Sequence, residues 1–302
     1  IAAHGNIDLD TASTEIALRD LRLRIGRNRL ALDGTAGREL ALEFELEAPA
    51  IDEIDASLSG AVQGKGTVRG TPTALVLDTE LTANSLAAGD LRVGHASLRA
   101  LVSPTAPSTL TLDAANLRSG DTVLGTLLLE AKGTLAAHTI ELDVGQGERR
   151  LQLRSRGQYV DGRIDGAVSA LSLTWPALGR WQLGDAASWR YAAGALSLTP
   201  LCLIQDTAHV CVDADDLAAD GGRLHARITR VPMSLAAPWL PPQVAIEGAL
   251  DGELTATHAH GTWQLRGPIS GNGVTLTVRE ANARDTRLRF APLAVEFSAV
   301  EG

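Results

Sequence analysis

Bulky anchors are what this sequence has least of. Five Trp, two Tyr and three Phe amount to 3% of the chain, while apolar residues as a whole reach 45%. Whatever surface is buried must therefore come from Leu, Val, Ile and Ala, and aromatic platforms for stacking sugars are poorly supplied. Lysine is equally thin: Lys65 and Lys132 are the only two in 302 residues. Lys plus Arg total 27 against 36 Asp plus Glu, a formal net charge of -9. Nucleic-acid binding needs clustered cations that displace phosphate counterions, so this balance argues against it. No uninterrupted apolar run approaches the ~18 residues of a membrane-spanning helix. Ile1 stands in place of Met, with no basic n-region and apolar h-region behind it, so the sequence reads as an internal piece of a longer protein.

Motifs that carry chemistry are missing too. Gly64-Lys65-Gly66 lacks both the leading Gly and the Ser or Thr after Lys that a phosphate loop requires. There is no Gly-x-Ser-x-Gly elbow and no His-Glu-x-x-His zinc helix. His258 and His260 share a strand face, but no carboxylate or thiol joins them, and exposed strand histidines are the better reading. Asp8 with Asp10, and Asp213 with Asp215, could be paired carboxylates, but alternate acids are also what a solvated strand face carries, and that is the better reading. Trp189 and Tyr191, two apart, fit a core or an interface better than a sugar site. Nothing supports catalysis, a metal or a cofactor.

What is there is alternation. Leu40, Leu42, Phe44 and Leu46 interleave with Glu39, Glu43, Glu45 and Glu47, the period of two that puts one set of side chains on one face of a strand. The pattern recurs at Leu75 and Leu77, Leu110 and Leu112, Leu127 and Leu129, Ile140 and Leu142, Leu151 and Leu153, and Leu196 and Leu198. Glycine-bearing turn signals separate the runs: Asp33-Gly34, Arg69-Gly70, Ser119-Gly120, Lys132-Gly133, Asp161-Gly162, Gly221-Gly222, Asp251-Gly252 and Gly271-Asn272-Gly273. Short strands joined by tight turns, without intervening helices, predict an all-β antiparallel meander of about 25 strands. Antiparallel sheets split or curl beyond ~10 strands. The expected architecture is one elongated repetitive structure over residues 1–302, curled into an open trough with an apolar interior. The pattern breaks once, at Val231–Pro242, where a short helix near 233–240 is expected, with Ser234 as N-cap and Leu235, Trp239 and Leu240 on the docking face. A sub-boundary at 230–243 would follow from it.

The two cysteines sit in Leu201-Cys-Leu-Ile-Gln-Asp-Thr-Ala-His-Val-Cys-Val212. A turn at Asp206-Thr207 sets Leu203 opposite Val210, Leu201 opposite Val212 and Cys202 opposite Cys211. Directly opposed residues are close enough to bridge. A structural disulfide is favoured over free thiols, and over a zinc site for which His209 is the one near ligand. Disulfides persist in oxidising compartments, which in a bacterium means the periplasm. The same register puts Leu201, Leu203, Val210 and Val212 on one face.

Residues 138–175, 181–217 and 223–254 run through "HTIELDVGQGERRLQLRSRGQYVDGRIDGAVSALSLTW", "WQLGDAASWRYAAGALSLTPLCLIQDTAHVCVDADDL" and "RLHARITRVPMSLAAPWLPPQVAIEGALDGEL". This succession resembles the TamB family of the AsmA-like superfamily, most strongly over roughly residues 130–255. The resemblance implies a β-taco in the periplasm of a Gram-negative bacterium, within a protein anchored in the inner membrane. It implies a BamA-related outer-membrane partner, TamA, met through parts outside this segment. It also implies phospholipid transport and outer-membrane protein assembly. The residues agree on independent grounds, since acyl chains need a dry aliphatic surface without directional polar demands. The candidate lipid-lining residues are Leu40, Leu42, Phe44, Leu46, Leu75, Leu77, Leu110, Leu112, Leu127, Leu129, Ile140, Leu142, Leu151, Leu153, Leu196, Leu198, Leu201, Leu203, Val210 and Val212. Two rival readings stay open: a scaffold offering its sheet edge to nascent outer-membrane strands, and a polysaccharide-handling β-solenoid.

Overall fold

The computed structural model describes residues 2–10, 15–259, 261–279 and 285–301. They form 21 strands and two 3-10 helices, grouped in two compact units, Ile1–Gly147 and Glu148–Gly302. The first unit holds β1 (Ala2–Asp10), β2 (Glu15–Ile25), β3 (Asn28–Ala36), β4 (Leu40–Ala48), β5 (Leu58–Thr71), β6 (Ala74–Ala88), β7 (Leu91–Val102), β8 (Ser108–Ser119), β9 (Thr122–Thr134) and β10 (Ala137–Gln146). Each pairs antiparallel with the next in sequence. A 3-10 turn at Ile51–Glu53 precedes β5.

The second unit holds β11 (Arg149–Val160), β12 (Arg163–Trp175), β13 (Gly179–Leu183), β14 (Ala187–Ala192), β15 (Ala195–Gln205), β16 (Ala208–Leu217), β17 (Gly221–Pro232), β18 (Val244–Ala259), β19 (Thr262–Val278), β20 (Thr286–Arg289) and β21 (Leu293–Glu301). Its order is again sequential. The short β13 and β14 share one lane between β12 and β15, and β20 and β21 share one beside β19.

Within each unit, substantial packing runs only between hydrogen-bonded neighbours or from a 3-10 helix to an adjoining strand. Close backbone approach is thus between sheet neighbours. Burial is shallow. Two separate compact bodies of half this 31.6 kDa mass would expose about 14,600 Å², whereas the chain exposes 18995 Å². No large side chain among the described residues is fully buried. The chain is a long all-β antiparallel meander, as a taco-like trough requires.

Three expectations need correction. The 21 strands are fewer and longer than expected, reaching 17 residues in β19. The reason is that most of the glycines read as turns lie inside strands. Gly34 belongs to β3, Gly70 to β5, Gly133 to β9, Gly252 to β18 and Gly271 to β19, and Gly221 opens β17, whereas Gly120 and Gly162 do occupy turns. Gly34 has φ +127, and a Cβ there would fall on the Ala41 carbonyl oxygen of the neighbouring strand. Glycine at that point permits close strand approach rather than a reversal.

The helix at Met233–Trp239 is 3-10 rather than α, has Pro232 as its N-cap without a side-chain bond, and contains Pro238. Ser234 is inside it and exposed. Trp239 does not dock: it is 74% exposed, while Leu235 and Leu240 are half-buried. A 3-10 turn eclipses residues three apart, so the i, i+4 face that would have seated Leu235 with Trp239 is not formed. His258 is likewise no free surface histidine, because its ring stacks on Trp263 with centroids 4.7 Å apart and its Nδ1 is buried. His260 lies outside the described residues.

Candidate functional site

Directly opposed residues in an antiparallel pair point to the same side, so the registers trace which side chains share a face. In the first unit one row runs Leu30, Leu46, Gly64, Leu81, Leu98, Leu112, Leu129, Leu142 across eight strands. A parallel row runs Leu32, Phe44, Gly66, Thr79, Ala100, Leu110, Ala131, Ile140. Leu40 and Leu75 both oppose Gly70, Leu42 and Leu77 both oppose Val68, and Leu127 lies between Ala114 and Val144. Leu40, Leu42, Phe44, Leu46, Leu75, Leu77, Leu110, Leu112, Leu127, Leu129, Ile140 and Leu142 therefore share one face.

The two rows hold one polar side chain, Thr79, 6% exposed, whose hydroxyl donates to the Lys65 carbonyl oxygen at 3.1 Å; Asn28, Ser108 and His138 stand on the same face toward the strand ends. The opposite face carries the charges. Ala31, Glu45, Lys65, Glu80, Arg99, Thr111, Glu130 and Glu141 are opposed in turn across it. Arg99 meets Glu80 at 3.4 Å and Lys132 meets Glu130 at 2.9 Å. The Glu130 carboxylate, by hydrogen bond and by charge, pushes the Lys132 ammonium above its usual range.

In the second unit Leu151 opposes Leu173, and Leu173 opposes Trp181. Leu153 opposes Leu171. A row continues through Gly157, Gly166, Trp189, Leu198, Ala214, Leu224, Ala256 and Leu265. Leu196 opposes Tyr191, Leu201 opposes Val212, and Leu203 opposes Val210. Since Val210, Val212 and Ala214 alternate along β16, the eight candidates of this unit also share one face. Trp189 lies across Gly166, where a Cβ would collide with its ring, and its indole N–H donates to Ser155 Oγ at 3.2 Å. Opposite them, Asp165 accepts from Arg190 and Arg163, each at 2.8 Å, and these two guanidinium groups hold its carboxyl below the ordinary range.

One of these placements is unexpected from alternation. In a straight strand Leu196 and Leu198 would face away from Leu201 and Leu203. A bulge spans Leu198 to Leu201, three steps on β15 against two on β16, and returns both pairs to one side. Pro200, which has no N–H to give to a ladder, sits in it, and Thr199 bonds the β14 backbone instead, accepting from Ser188 N at 2.8 Å. Cys202 and Cys211 oppose each other and form a disulfide.

Sequence reading missed Leu98, Ala83, Ala96, Ala100 and Ala114 on β6 to β8, and the glycines of β5. Alanine and glycine carry little hydrophobic signal. The available clue was that Gly64, Gly66 and Gly70 alternate with Lys65 and Arg69, so the period survives with glycine in the apolar slot. The phosphate-loop lookalike is thus a strand whose Lys65 joins the charged face.

The family model described as TamB, N-terminal domain, matches residues 1–300. This chain belongs to the TamB family. Over 151 residues it is 24% identical to "Translocation and assembly module subunit TamB" of Haemophilus influenzae (strain ATCC 51907 / DSM 11121 / KW20 / Rd), covering 49% of this chain and 11% of that protein. The match thus spans about a tenth of that relative's length. No solved structure matches the chain at a significant level. The TamB N-terminal domain match reaches well beyond residues 130–255, where the sequence resemblance is strongest, and takes in the whole of the first unit's face.

Proposed function

We propose that this chain is a periplasmic lipid-conduit segment of a TamB-like protein, its apolar faces carrying phospholipid acyl chains between inner and outer membranes. The observation that carries the reading is the aliphatic face that crosses eight strands of the first unit, its two central rows holding one polar side chain, itself satisfied. Each buried methylene contributes about 0.8 kcal/mol, so an acyl chain laid on such a face covers surface that is otherwise costly to leave in water. The face offers no cation for tight head-group capture, which suits movement along the sheet better than one fixed site. The segment acts without catalysis or cofactor. The name of the Haemophilus relative supports placing the full protein in a translocation and assembly module, with a TamA-like outer-membrane partner met outside this segment. Family membership supports an inner-membrane anchor elsewhere in that protein and a role in outer-membrane protein assembly.

The test is a photo-crosslinking amino acid at Leu42, Phe44, Leu112 or Leu129, with Glu43 and Thr111 as opposite-face controls, in the full-length protein in cells. Lipid attached at the apolar positions alone is the expected result. Crosslinks to nascent outer-membrane protein without lipid, or no lipid at any position of a folded protein, would overturn the conduit and leave the scaffold reading.

A further inference from the structure

The β15–β16 hairpin has two registers that its hydrophobic pattern barely distinguishes. Leu201-Cys202-Leu203-Ile204 is apolar at four consecutive positions, so either alternate pair suits an apolar face. In the observed register the bulge at Thr199-Pro200 places Leu201 and Leu203 beside Val212 and Val210, with Cys202 and Ile204 on the other side. Removing the bulge slides β15 by one residue. Pro200 would then oppose Val212, Cys202 would oppose Val210, Ile204 would oppose Ala208, and Leu201 and Leu203 would leave the apolar face. Such a slip inverts every side chain it reaches, and it is weakly resisted wherever both sides of a strand are apolar.

We infer that the Cys202–Cys211 disulfide is a register lock, selecting the bulged hairpin and thereby which residues line the apolar face of the second unit. The bridge is possible in one register only. In the bulged hairpin Cys202 opposes Cys211 with Cα atoms 4.0 Å apart. In the straight hairpin Cys211 faces Leu201, and the Cys202 side chain points to the other side, where no bridge can close. The Thr199 hydroxyl, bonded to both Ser188 N and Ser188 O, assists from the β14 side without fixing the β16 partner. Elsewhere the pattern itself sets the register: β4 alternates Leu and Phe with Glu, and its hairpins carry no bridge. Cys202 and Cys211 are positioning residues, placed where alternation fails.

Disulfide trapping in the full-length protein tests this without reference to lipid. Leu201→Cys with Cys202→Ala, Cys211 retained, leaves a cysteine pair that can bridge only in the straight register. Peptide mapping under non-reducing conditions should find a 201–211 bridge. Adding Ile204→Thr restores alternation, and should lower the yield about tenfold, as expected from moving one buried branched side chain's worth of apolar preference. A protease-resistant fold with no 201–211 bridge would overturn the lock. So would a bridge whose yield ignores Ile204→Thr, since a merely stabilising disulfide predicts no such rescue.

Discussion

Gly66 provides the sharpest test of the face described for the first unit. It lies between Phe44 and Thr79 in an apolar row. A Cβ there would stand 2.7 Å from both Cε1 and Cζ of Phe44, and 2.5 Å from the Asp78 carbonyl oxygen. The ring can swing aside, but the carbonyl belongs to the β5–β6 ladder and yields little. Overpacking of this kind costs about 1–3 kcal/mol. Against it, Ala in place of Gly within a strand gains roughly 0.5–1 kcal/mol of backbone entropy. Gly66→Ala should therefore destabilise by about 1–2 kcal/mol net, which for a cooperative unit of ~150 residues is a Tm lower by about 5 °C. Phe44→Leu removes the ring and leaves the carbonyl. Denaturant unfolding of both single variants and the double variant should show a coupling of about 1 kcal/mol, the double being less destabilised than the sum. A stabilising Gly66→Ala, or coupling below ~0.3 kcal/mol, would mean that Phe44 does not lie across β5, and that the row is not assembled as described.

Three further outcomes follow from particular side chains. Leu98 and Arg99 are neighbours on opposite faces: Leu98→Asp should cost roughly 2–4 kcal/mol by placing an unpaired charge among Leu81 and Leu112, while Arg99→Ala, which breaks an exposed pair with Glu80, should cost under ~1 kcal/mol. Equal costs in urea unfolding would refute the assignment of faces. Trp181 is 6% exposed and donates its indole N–H to the Leu178 carbonyl at 2.9 Å, so Trp181→Ala should cost about 3–5 kcal/mol, whereas Trp239, 74% exposed, should tolerate Ala within ~0.5 kcal/mol. Asp165 has its carboxyl pKa lowered from 3.8 by Arg190 and Arg163. A depressed folded pKa gives stability that is present above the unfolded value and is lost as pH falls through the folded one. Asp165→Asn should therefore flatten the acid limb of an unfolding titration below about pH 4 and leave the neutral region's slope unchanged; an unaltered acid limb would count against the paired geometry.

The reach of sequence reading differs along the chain for a physical reason. Alternation is local, so β4 declared itself through Leu40 to Glu47, and the Cys202–Cys211 register was recoverable because two cysteines can bridge across this hairpin in one register only. Bulges are not local. Whether Thr199-Pro200 counts as two steps or one depends on β16, and nothing in residues 195–205 alone says that Leu196 and Leu203 share a side. The glycines misled for a related reason. Gly34 and Gly70 look like hairpin punctuation, yet their positive φ serves close approach to Ala41 and Ala74 in the adjoining strand, a demand visible only once the partner is placed.

This asymmetry also says where the second unit's face is most open to change. A repetitive meander has no long-range topology to correct an error, since each strand reads only its two neighbours. Register must then be enforced strand by strand, by alternation where the sequence supplies it and by other means where it does not. β4 to β5 relies on Leu and Phe against Glu and Lys. Near β15 both sides are aliphatic, and a Pro-bearing bulge, a Thr199 hydroxyl clamp and a covalent bridge converge within one hairpin. On this reasoning, polar substitution at Ile204 should be the mildest change in the hairpin and polar substitution at Leu203 the most damaging, although the two residues are adjacent, similarly sized and similarly half-buried.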